Sequence, residues 1–257
     1  MKDKLDFNKD WVEATKGRLL KVYQGEIPDR VPSYTVDGFD MPNPAELYFS
    51  PELQFNYQIA KLHKQEEFGF DVVPGVWPYT NATFFPSLFG AEIDYPQNDW
   101  PRIKGSILKN IKDVDNLDIP DIRKNGQGPY LIKVLDYFVK ESKGKINVGT
   151  HENDSPLYLA FGLRGQELLL DFYDHPEQVK KLLKLCSKTI IEAVKVQREI
   201  TGVPLNRCVM SVDDLFIPEG FGGIYVGETY ACMLSAEMYR EIVKPITVEF
   251  FKIFDSF

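Results

Sequence analysis

The chain has 257 residues, of which 44% are hydrophobic and 26% charged, as is ordinary for a soluble globular protein. Its formal net charge of -8 gives an acidic surface that repels phosphate groups, which argues against nucleic acid and anionic membranes as partners. Three widely spaced cysteines without a Cys-x-x-Cys pair, and the lack of a signal-like or membrane-spanning apolar run, indicate a cytoplasmic location.

The first part of the chain predicts two helices and two strands. Residues 8–24 have one apolar face and end before a glycine and a proline, a pattern typical of a helix. A short strand around 32–36 leads into Asp37. Ser50 then begins a second helix, as an N-cap followed by proline. A second strand, buried according to its composition, covers 71–74 and precedes an aromatic loop.

The middle of the chain predicts a hairpin and three helices around a third strand. Residues 90–122 contain alternating segments and a connection rich in proline and aspartate, which indicates a hairpin excursion. The amphipathic helix that follows closes at Gly144. A third strand over 146–154 ends on a polar cluster, and helices are predicted over 156–173 and 176–201.

The last part of the chain predicts strand-like segments at 207–214 and 222–228, and a helix that begins at Ser235. Strands that alternate with long helices favour repeated β-α units and a parallel sheet. Right-handed crossovers place the C-terminal ends of such strands on one side, where the sites of these folds lie. Neither a repeat nor a linker interrupts the chain, so we predict one domain over 1–257.

The number of strands does not fill a closed barrel. A (β/α)8 barrel of the TIM type needs eight strands, and the sequence predicts four to five. The chain also ends on the apolar helical pattern VEFFKIFDSF, whereas chain ends are usually polar. We therefore expect an N-terminal portion of a barrel, whose open sheet edge requires further strands or a partner to cover it.

One set of motifs extends over nearly the whole chain: DRVP, EFGFDVV, FGAEIDYPQNDWPRI with NLDIPD, LRGQELLLDFYDHPEQVKKLL and MLSAEMYREIVKP. Together these motifs resemble the uroporphyrinogen decarboxylase superfamily. The resemblance implies a (β/α)8 barrel and one of two chemistries. The first is decarboxylation of a porphyrinogen without a cofactor. The second is zinc-dependent methyl transfer between a corrinoid protein and a thiol, or methyl transfer from other donors.

The chain departs from the family pattern at two places, of which the first argues against the decarboxylases and the second leaves the zinc site of the thiol methyltransferases incomplete in these residues. The decarboxylases carry an arginine-rich motif after the first strand, whereas this chain has TVDGFDM with Asp37 and Asp40. A polyanionic substrate would meet negative charge there, which weakens binding. The thiol methyltransferases place His-x-Cys zinc ligands on a strand beyond the helix that ends this chain, and no such motif occurs here.

The densest polar cluster closes the third strand, at His151, Glu152 and Asp154. An imidazole beside carboxylates can ligate zinc or work as an acid–base pair. With Glu228 from another strand end, we predict catalytic roles for all four residues and a zinc ligand set of His151, Glu152 and Glu228. The alternatives are that Asp154 only caps the next helix and that Glu228 is a solvated loop residue.

A second group of residues is predicted to bind substrate. Asp37 would orient the catalytic groups, and Trp77 and Tyr79 after the second strand would wall the pocket, together with Tyr158 and Tyr230. Trp77 and Tyr79 could equally belong to the core of the hairpin excursion, an alternative the sequence leaves open.

Other polar residues are assigned structural roles. These roles are charge capping at a strand start for Asp71, a loop or turn for Asp213 and Asp214, a solvated helix face for His63, an interhelical turn for His175, and buried small side chains for Cys186, Cys208 and Cys232.

The leading hypothesis is a methyltransferase-like enzyme that acts on a small-molecule substrate at the strand ends. Zinc and a corrinoid presented by a partner protein are its expected cofactors, a thiol is the other acceptor, and a homodimer is compatible with the open sheet edge. One alternative is a cofactor-free uroporphyrinogen decarboxylase. Another is an inactive truncated paralogue that binds a partner through that edge.

Overall fold

The computed structural model describes residues 4–35, 40–151, 154–210 and 214–255. Its described residues form ten α-helices and four short strands, in the order α1 Lys9–Tyr23, α2 Pro44–Phe49, α3 Pro51–Glu67, β1 Gly75–Val76, α4 Phe84–Leu88, β2 Ile93–Asp94, β3 Arg102–Ile103, α5 Gly128–Ser142, β4 Asn147–Val148, α6 Pro156–Arg164, α7 Leu168–Asp174, α8 Pro176–Thr201, α9 Ala236–Met238 and α10 Lys244–Lys252. A π-helical turn at Tyr239–Val243 joins α9 to α10.

Side-chain caps fix where several helices begin. The oxygens of Asn8, Ser50, Ser155 and Ser235 accept hydrogen bonds from backbone amides two or three residues further on, at 2.9 to 3.1 Å. Each such cap stabilises a helix by about 0.5–2 kcal/mol. The helix starts that the sequence predicts at Ser50 and Ser235 are confirmed.

One long predicted helix is interrupted. The sequence predicts a helix over 156–173, but α6 ends at Arg164, and a 3-10 turn at Gly165–Glu167 separates it from α7. Gly165 has φ +77, which lies outside the helical region and which residues with a Cβ rarely adopt. The helix therefore breaks at this glycine.

Strands β1 and β4 are parallel neighbours, with Gly75 opposite Asn147 and Val76 opposite Val148. β4 lies within the third predicted strand, whereas β1 begins one residue after the second predicted strand, 71–74. Of the four to five predicted barrel strands, the described residues form this one parallel pair. Between 31 and 35 the chain forms no strand, and the described residues of 207–228 contribute isolated bridges.

Beyond Val76, the backbone that continues β1 forms hydrogen bonds with side chains of helix α3 and not with a neighbouring strand. The Gln58 amide accepts from the Trp77 backbone at 2.9 Å and donates to its carbonyl at 3.0 Å. Gln54 accepts from the Tyr79 backbone at 3.0 Å. Since these backbone groups are already paired, no ladder extends over them.

The remaining strands, β2 and β3, form an antiparallel hairpin within 90–122, with Ile93 opposite Ile103. After the hairpin, the Leu108 amide donates a hydrogen bond to the Leu163 carbonyl of α6 at 2.9 Å. The segment that follows the hairpin therefore lies beside the last turn of α6.

Helix α8 is the centre of the main hydrophobic core. It contacts α5, α6, α7 and α10, and its buried apolar side chains include Val179, Leu182, Leu183, Cys186, Ile190, Ala193 and Val194. The apolar end of the chain joins the same core, since Phe250 and Phe254 are 1% and 0% exposed. The rest of the chain therefore covers these two rings. No helix in the described ranges has the length and apolar character that a membrane crossing needs.

Met210 fills the space above two glycines of the parallel strand pair. A side-chain carbon at Gly75 would overlap the Met210 sulfur, and one at Gly149 would lie 2.6 Å from its Cγ. Met210 is 1% exposed and packs with Leu47, Trp77 and Tyr79 in a second, smaller cluster. Only residues without a side chain leave room for this methionine.

Asp71 connects the N-terminal segment to the sheet. Its carboxylate, 1% exposed, accepts from Arg18, from Arg30 at 2.6 and 3.0 Å, and from the Ser33 backbone amide at 2.9 Å. The Asp71 backbone amide donates to the Ser33 carbonyl at 2.6 Å. Asp71 therefore has a structural role as the ion-pair partner of two arginines, although no strand begins at it, because β1 begins at Gly75.

We expect Asp71→Asn to lower the free energy of unfolding by about 1–3 kcal/mol, because the buried side chain at 71 loses charge-assisted hydrogen bonds from Arg18 and Arg30, while Arg18 keeps its pair with Asp29. Urea unfolding measures this loss. Asp94→Asn, in the exposed pair with Arg102, is the matched control and should cost less than about 1 kcal/mol. Equal midpoints for the two variants would contradict a structural role for the Asp71 cluster.

Candidate active site

A cavity of about 330 Å³ is lined by residues that follow β1 and β4 along the chain. We call it the Asp154 cavity, and its lining consists of Ala82, Pro86, Ile103, Gly105, Ser106, Asp154, Tyr158, Leu159, Phe161, Gly162, Gly165 and Tyr230. Three predicted site residues, Asp154, Tyr158 and Tyr230, therefore meet at one place. The described side chains of this lining include one acid and no lysine, arginine or histidine.

Two strand ends converge at the cavity. Asp154 forms a parallel bridge with Gly227, and the Ser155 amide donates to the Gly227 carbonyl at 3.1 Å. Asp154 is 6% exposed. Ser155 also caps α6, so the predicted capping position and the predicted site adjoin each other. Glu228 follows Gly227 and adjoins Ser155 on the other side of this bridge; it is not among the residues that line the cavity.

Glu228 is a carboxyl group in a dry environment. Both of its oxygens are inaccessible to solvent and lack a hydrogen-bond partner among the described residues. Burial raises the pKa of Glu228, while the nearby Ser155 hydroxyl and Tyr230 backbone lower it by less. Burial, and next the charge of Glu228, raise the pKa of Tyr239, so this phenol also lies near the carboxylate. A carboxyl group with a raised pKa can exchange a proton nearer neutral pH.

Three aromatic rings form one wall of the cavity. The Tyr230 ring stacks on Phe161, with centroids 4.2 Å apart and an angle of 22° between the rings. Tyr158 is tilted against Tyr230 at 5.1 Å. These contacts fix the orientation of Tyr230 without hydrogen bonds, and they present aromatic faces and edges beside the acidic residue.

His151 is not among the residues that line the cavity. It is 1% exposed, its Nδ1 is hydrogen-bonded to the Thr80 hydroxyl, and its ring lies 4.6 Å from Phe84. Its backbone amide donates to Gln197 at 2.7 Å. Burial lowers the pKa of His151 to about 3. The imidazole is therefore neutral at ordinary pH and packed inside the protein.

The described residues do not provide a zinc site. Glu152, one of the three predicted ligands, lies outside them. Within 4–35, 40–151, 154–210 and 214–255, no three His, Cys, Asp or Glu side chains lie close enough to share a metal ion. The zinc site with His151 and Glu228 stays a prediction.

The other predicted substrate-binding residues lie elsewhere or outside the described ranges. Trp77 and Tyr79 contact each other at 4.4 Å in the cluster around Met210 and are not in the lining of the Asp154 cavity. Asp37 lies outside the described residues, as does Asp213. Asp40 is exposed.

A buried ion pair near the strand ends was not expected from the sequence. The Lys61 ammonium lies 2.7 Å from the Asp214 carboxylate, with both side chains at most 5% exposed. Gln65 also donates to Asp214, at 3.4 Å. One face of α3 carries polar residues at helical spacing, namely Gln54, Gln58, Lys61 and Gln65. This spacing is the sequence signal that the polar face of the helix has partners inside the protein.

Two smaller expectations require correction. His63 does not lie on a fully solvated face: its ring stacks on Phe7 at 4.5 Å, and its Nε2 lies 2.8 Å from the Lys4 carbonyl. Cys232 is exposed, in a 3-10 turn at Tyr230–Met233, whereas Cys186 and Cys208 are buried as predicted.

Residues 14–256 match the family described as Uroporphyrinogen decarboxylase (URO-D). No curated protein sequence matches. The solved structure of a methyltransferase from Methanosarcina mazei superposes with a TM-score of 0.60 at 18% identity. The superposition covers 92% of this chain and 66% of that chain, so this chain spans just under two thirds of its length. Both matches indicate an α/β fold of the TIM-barrel type.

We expect acid to destabilise the protein partly through His151. Because its pKa is about 3 in the folded state against an ordinary 6.5, its stabilising contribution is complete above about pH 6.5 and is lost as the pH falls toward 3. His151→Leu removes this contribution, so its stability difference from the wild type should shrink between about pH 7 and pH 4. Urea unfolding at several pH values measures it. With His63→Leu as the control, parallel curves for His151→Leu would contradict the assignment.

Glu228 should have the opposite pH dependence. Its raised pKa means that the folded state favours the protonated carboxyl, so stability is lost as the pH rises from the ordinary value of 4.5 through the raised one. Glu228→Gln should therefore gain stability relative to the wild type over that rise, as measured by thermal unfolding. The exposed Glu237→Gln serves as the control. A Glu228→Gln difference that stays constant with pH would show that burial does not act on this carboxyl.

Proposed function

Because the chain belongs to the uroporphyrinogen decarboxylase family, we propose that it is a methyltransferase-like member, which transfers a methyl group of a small molecule at the Asp154 cavity. The observation that carries the proposal is the lining of this cavity, which is acidic on one side and aromatic on the other. We further propose that the segments around 33–35, 71–76, 146–151 and 207–228 are the first strands of one barrel domain.

Size and charge disfavour decarboxylation of a porphyrinogen in this cavity. Its volume of about 330 Å³ lies at the low end of small-molecule sites, which are about 300 to 1,000 Å³, and a tetrapyrrole with its carboxylate chains exceeds it. Those carboxylates would also face Asp154 with no basic side chain among the described lining residues. The negative charge of Asp154 would repel these carboxylates.

For methyl transfer, the protein must hold the donor and the acceptor in position and accept the proton that an acceptor thiol loses. The bond between the methyl carbon and its leaving atom breaks, with both electrons on the leaving atom, while a lone pair of the acceptor forms the new bond. An acceptor thiol must lose its proton to become the stronger nucleophile. Glu228 is not among the lining residues, but its carboxyl group adjoins the backbone of the lining residue Tyr230, and we assign it to accept that proton through one water molecule. Asp154 and the aromatic wall orient the methylated molecule.

The cofactors implied by the family resemblance enter this proposal differently. A corrin ring is too large for the cavity, so a corrinoid would remain on its partner protein and meet the substrate at the cavity mouth. The proton step assigned to Glu228 does not require zinc. The ligand set of His151, Glu152 and Glu228 stays a prediction, since His151 is engaged with Thr80.

The test compares two acceptors with the same donors. The protein is incubated with tetramethylammonium, trimethylamine, dimethyl sulfide or methanol, and with either 2-mercaptoethanol or reduced cobalamin. Mass spectrometry measures the methylated acceptor. We expect Glu228→Gln to slow methylation of the thiol by about 10²–10⁴-fold and to leave methylation of cobalamin unchanged, because that acceptor has no proton to lose.

The exposed Tyr173→Phe on α7 is the control variant and should change neither rate. Two outcomes would overturn the proposal. One is the absence of methylated product with every donor and both acceptors. The other is formation of coproporphyrinogen from uroporphyrinogen at the rate of an enzyme.

A further inference from the structure

An open groove of about 690 Å³ runs along the helical segment that follows Ser235. We call it the Arg240 groove, and its lining consists of Ala231, Leu234, Ser235, Ala236, Tyr239, Arg240, Lys244, Thr247, Val248 and Phe251. In the 3-10 turn at Tyr230–Met233, Tyr230 lines the Asp154 cavity and Ala231 lines the groove. The described linings share no residue, so binding in the groove does not depend on the proposed methyl transfer.

The groove is positively charged. Arg240 and Lys244 are both exposed, and the described side chains of the lining include no aspartate or glutamate. The ion pairs within the described ranges use other lysines and arginines. Because the whole chain has a net charge of -8, the groove is a local positive region on an acidic protein, and such a region attracts anions.

The acids of the same helical segment line another cavity. Glu237 and Glu241 lie beside Tyr173 there, together with Met238 and Ile242. The two acids are four residues apart, as are Arg240 and Lys244, so each pair places like charges next to each other. Like charges at this spacing destabilise a helix. The arrangement therefore does not serve the stability of the segment, and it gives the groove a charge of one sign.

The π-helical turn at Tyr239–Val243 brings a phenol to the same face as Lys244. The Lys244 amide donates to the Tyr239 carbonyl, five residues back. Pro245 has no N–H, so the Glu241 carbonyl cannot receive the hydrogen bond of a regular α-helical turn. Residues five apart in an α-helix are rotated by about 140° from each other, whereas in a π-helical turn they lie nearly one above the other. Tyr239 and Lys244 can therefore both border the groove.

A hydroxyl group and apolar side chains complete the lining. The Ser235 oxygen accepts from the Met238 amide at 3.1 Å, which leaves its own proton for a ligand. Leu234, Val248 and Phe251 are half-buried, so each has apolar surface that a ligand could cover. The groove thus combines cations, a hydroxyl donor and apolar surface in one concave place.

We propose that the Arg240 groove binds a small organic anion, which has a carboxylate or phosphate head and an apolar body. Arg240 and Lys244 bind the oxygen atoms of the head by charge-assisted hydrogen bonds, and Ser235 donates a further one. The apolar body packs on Val248 and Phe251. The concave shape favours a small molecule over a protein surface. The apolar part of the lining favours an organic anion over an inorganic one.

The test compares ligands of nearly equal shape that differ in charge. 3-Phenylpropionate and 3-phenylpropanamide share one apolar body, and 2-phenylethyl phosphate has the other head. By isothermal titration calorimetry, we expect at least one of the two anions to bind at least ten-fold more tightly than the amide. Arg240→Gln and Lys244→Gln should each reduce this preference at least three-fold. Sodium chloride at about 0.5 M should also reduce it, because salt screens exposed charges.

Lys252→Gln is the matched control, since Lys252 is exposed on the same helical segment and lies outside the lining. It should leave the preference unchanged, and thermal melts establish that each variant is folded. The anion that binds more tightly identifies the head group of the ligand.

Three outcomes would overturn the proposal. The first is equal affinity for both anions and the amide in the wild type. The second is an undiminished preference in the folded variant that carries both Arg240→Gln and Lys244→Gln, or inorganic phosphate that binds as tightly as 2-phenylethyl phosphate. The third is a dimer, seen by sedimentation, that dissociates in Arg240→Gln while neither anion binds the wild type, because a second copy would then cover the groove.

Discussion

The backbone after β1 is held by the side chains of a helix and not by a neighbouring strand. Gln54 and Gln58 of α3 take up the hydrogen-bonding groups of Trp77 and Tyr79, which would otherwise be buried without partners at a cost of about 1–3 kcal/mol each. This arrangement determines where the chain turns away from the sheet. The loop that follows carries Ala82 and then α4 to one side of the Asp154 cavity, so the cavity depends on it.

The three titratable groups near the strand ends differ because their environments differ. His151 is surrounded by aromatic rings and is neutral, which suits packing and not proton transfer at neutral pH. Burial raises the pKa of Glu228, and the adjoining Ser155 hydroxyl offsets part of that rise, so the carboxyl group can exchange a proton. Asp154 borders the cavity itself. Separate roles in one site follow from these surroundings.

Local chemistry was predictable from the sequence, and burial was not. Caps such as Ser50 and Ser235 are properties of a few consecutive residues, and they gave correct helix starts. The meeting of Asp154 with the segment before Glu228 followed from the general geometry of parallel strands. In contrast, the polar spacing of Gln54, Gln58 and Lys61 is what a solvated helix face also shows, and only the packing of α3 against distant segments reveals that they are buried. His151 was assigned to the site because its burial, like that of these three residues, does not follow from the local sequence.

Met210, which fills the space above the strand pair, restricts which residues can occur at positions 75 and 149. Gly75 and Gly149 leave no room for a side chain while Met210 occupies its place. A lineage that acquired a larger residue at either glycine would have to shorten position 210 at the same time, and a β-branched residue at 210 would leave a void over both glycines. The three positions should therefore covary, although the first and the last of them are 135 positions apart along the chain.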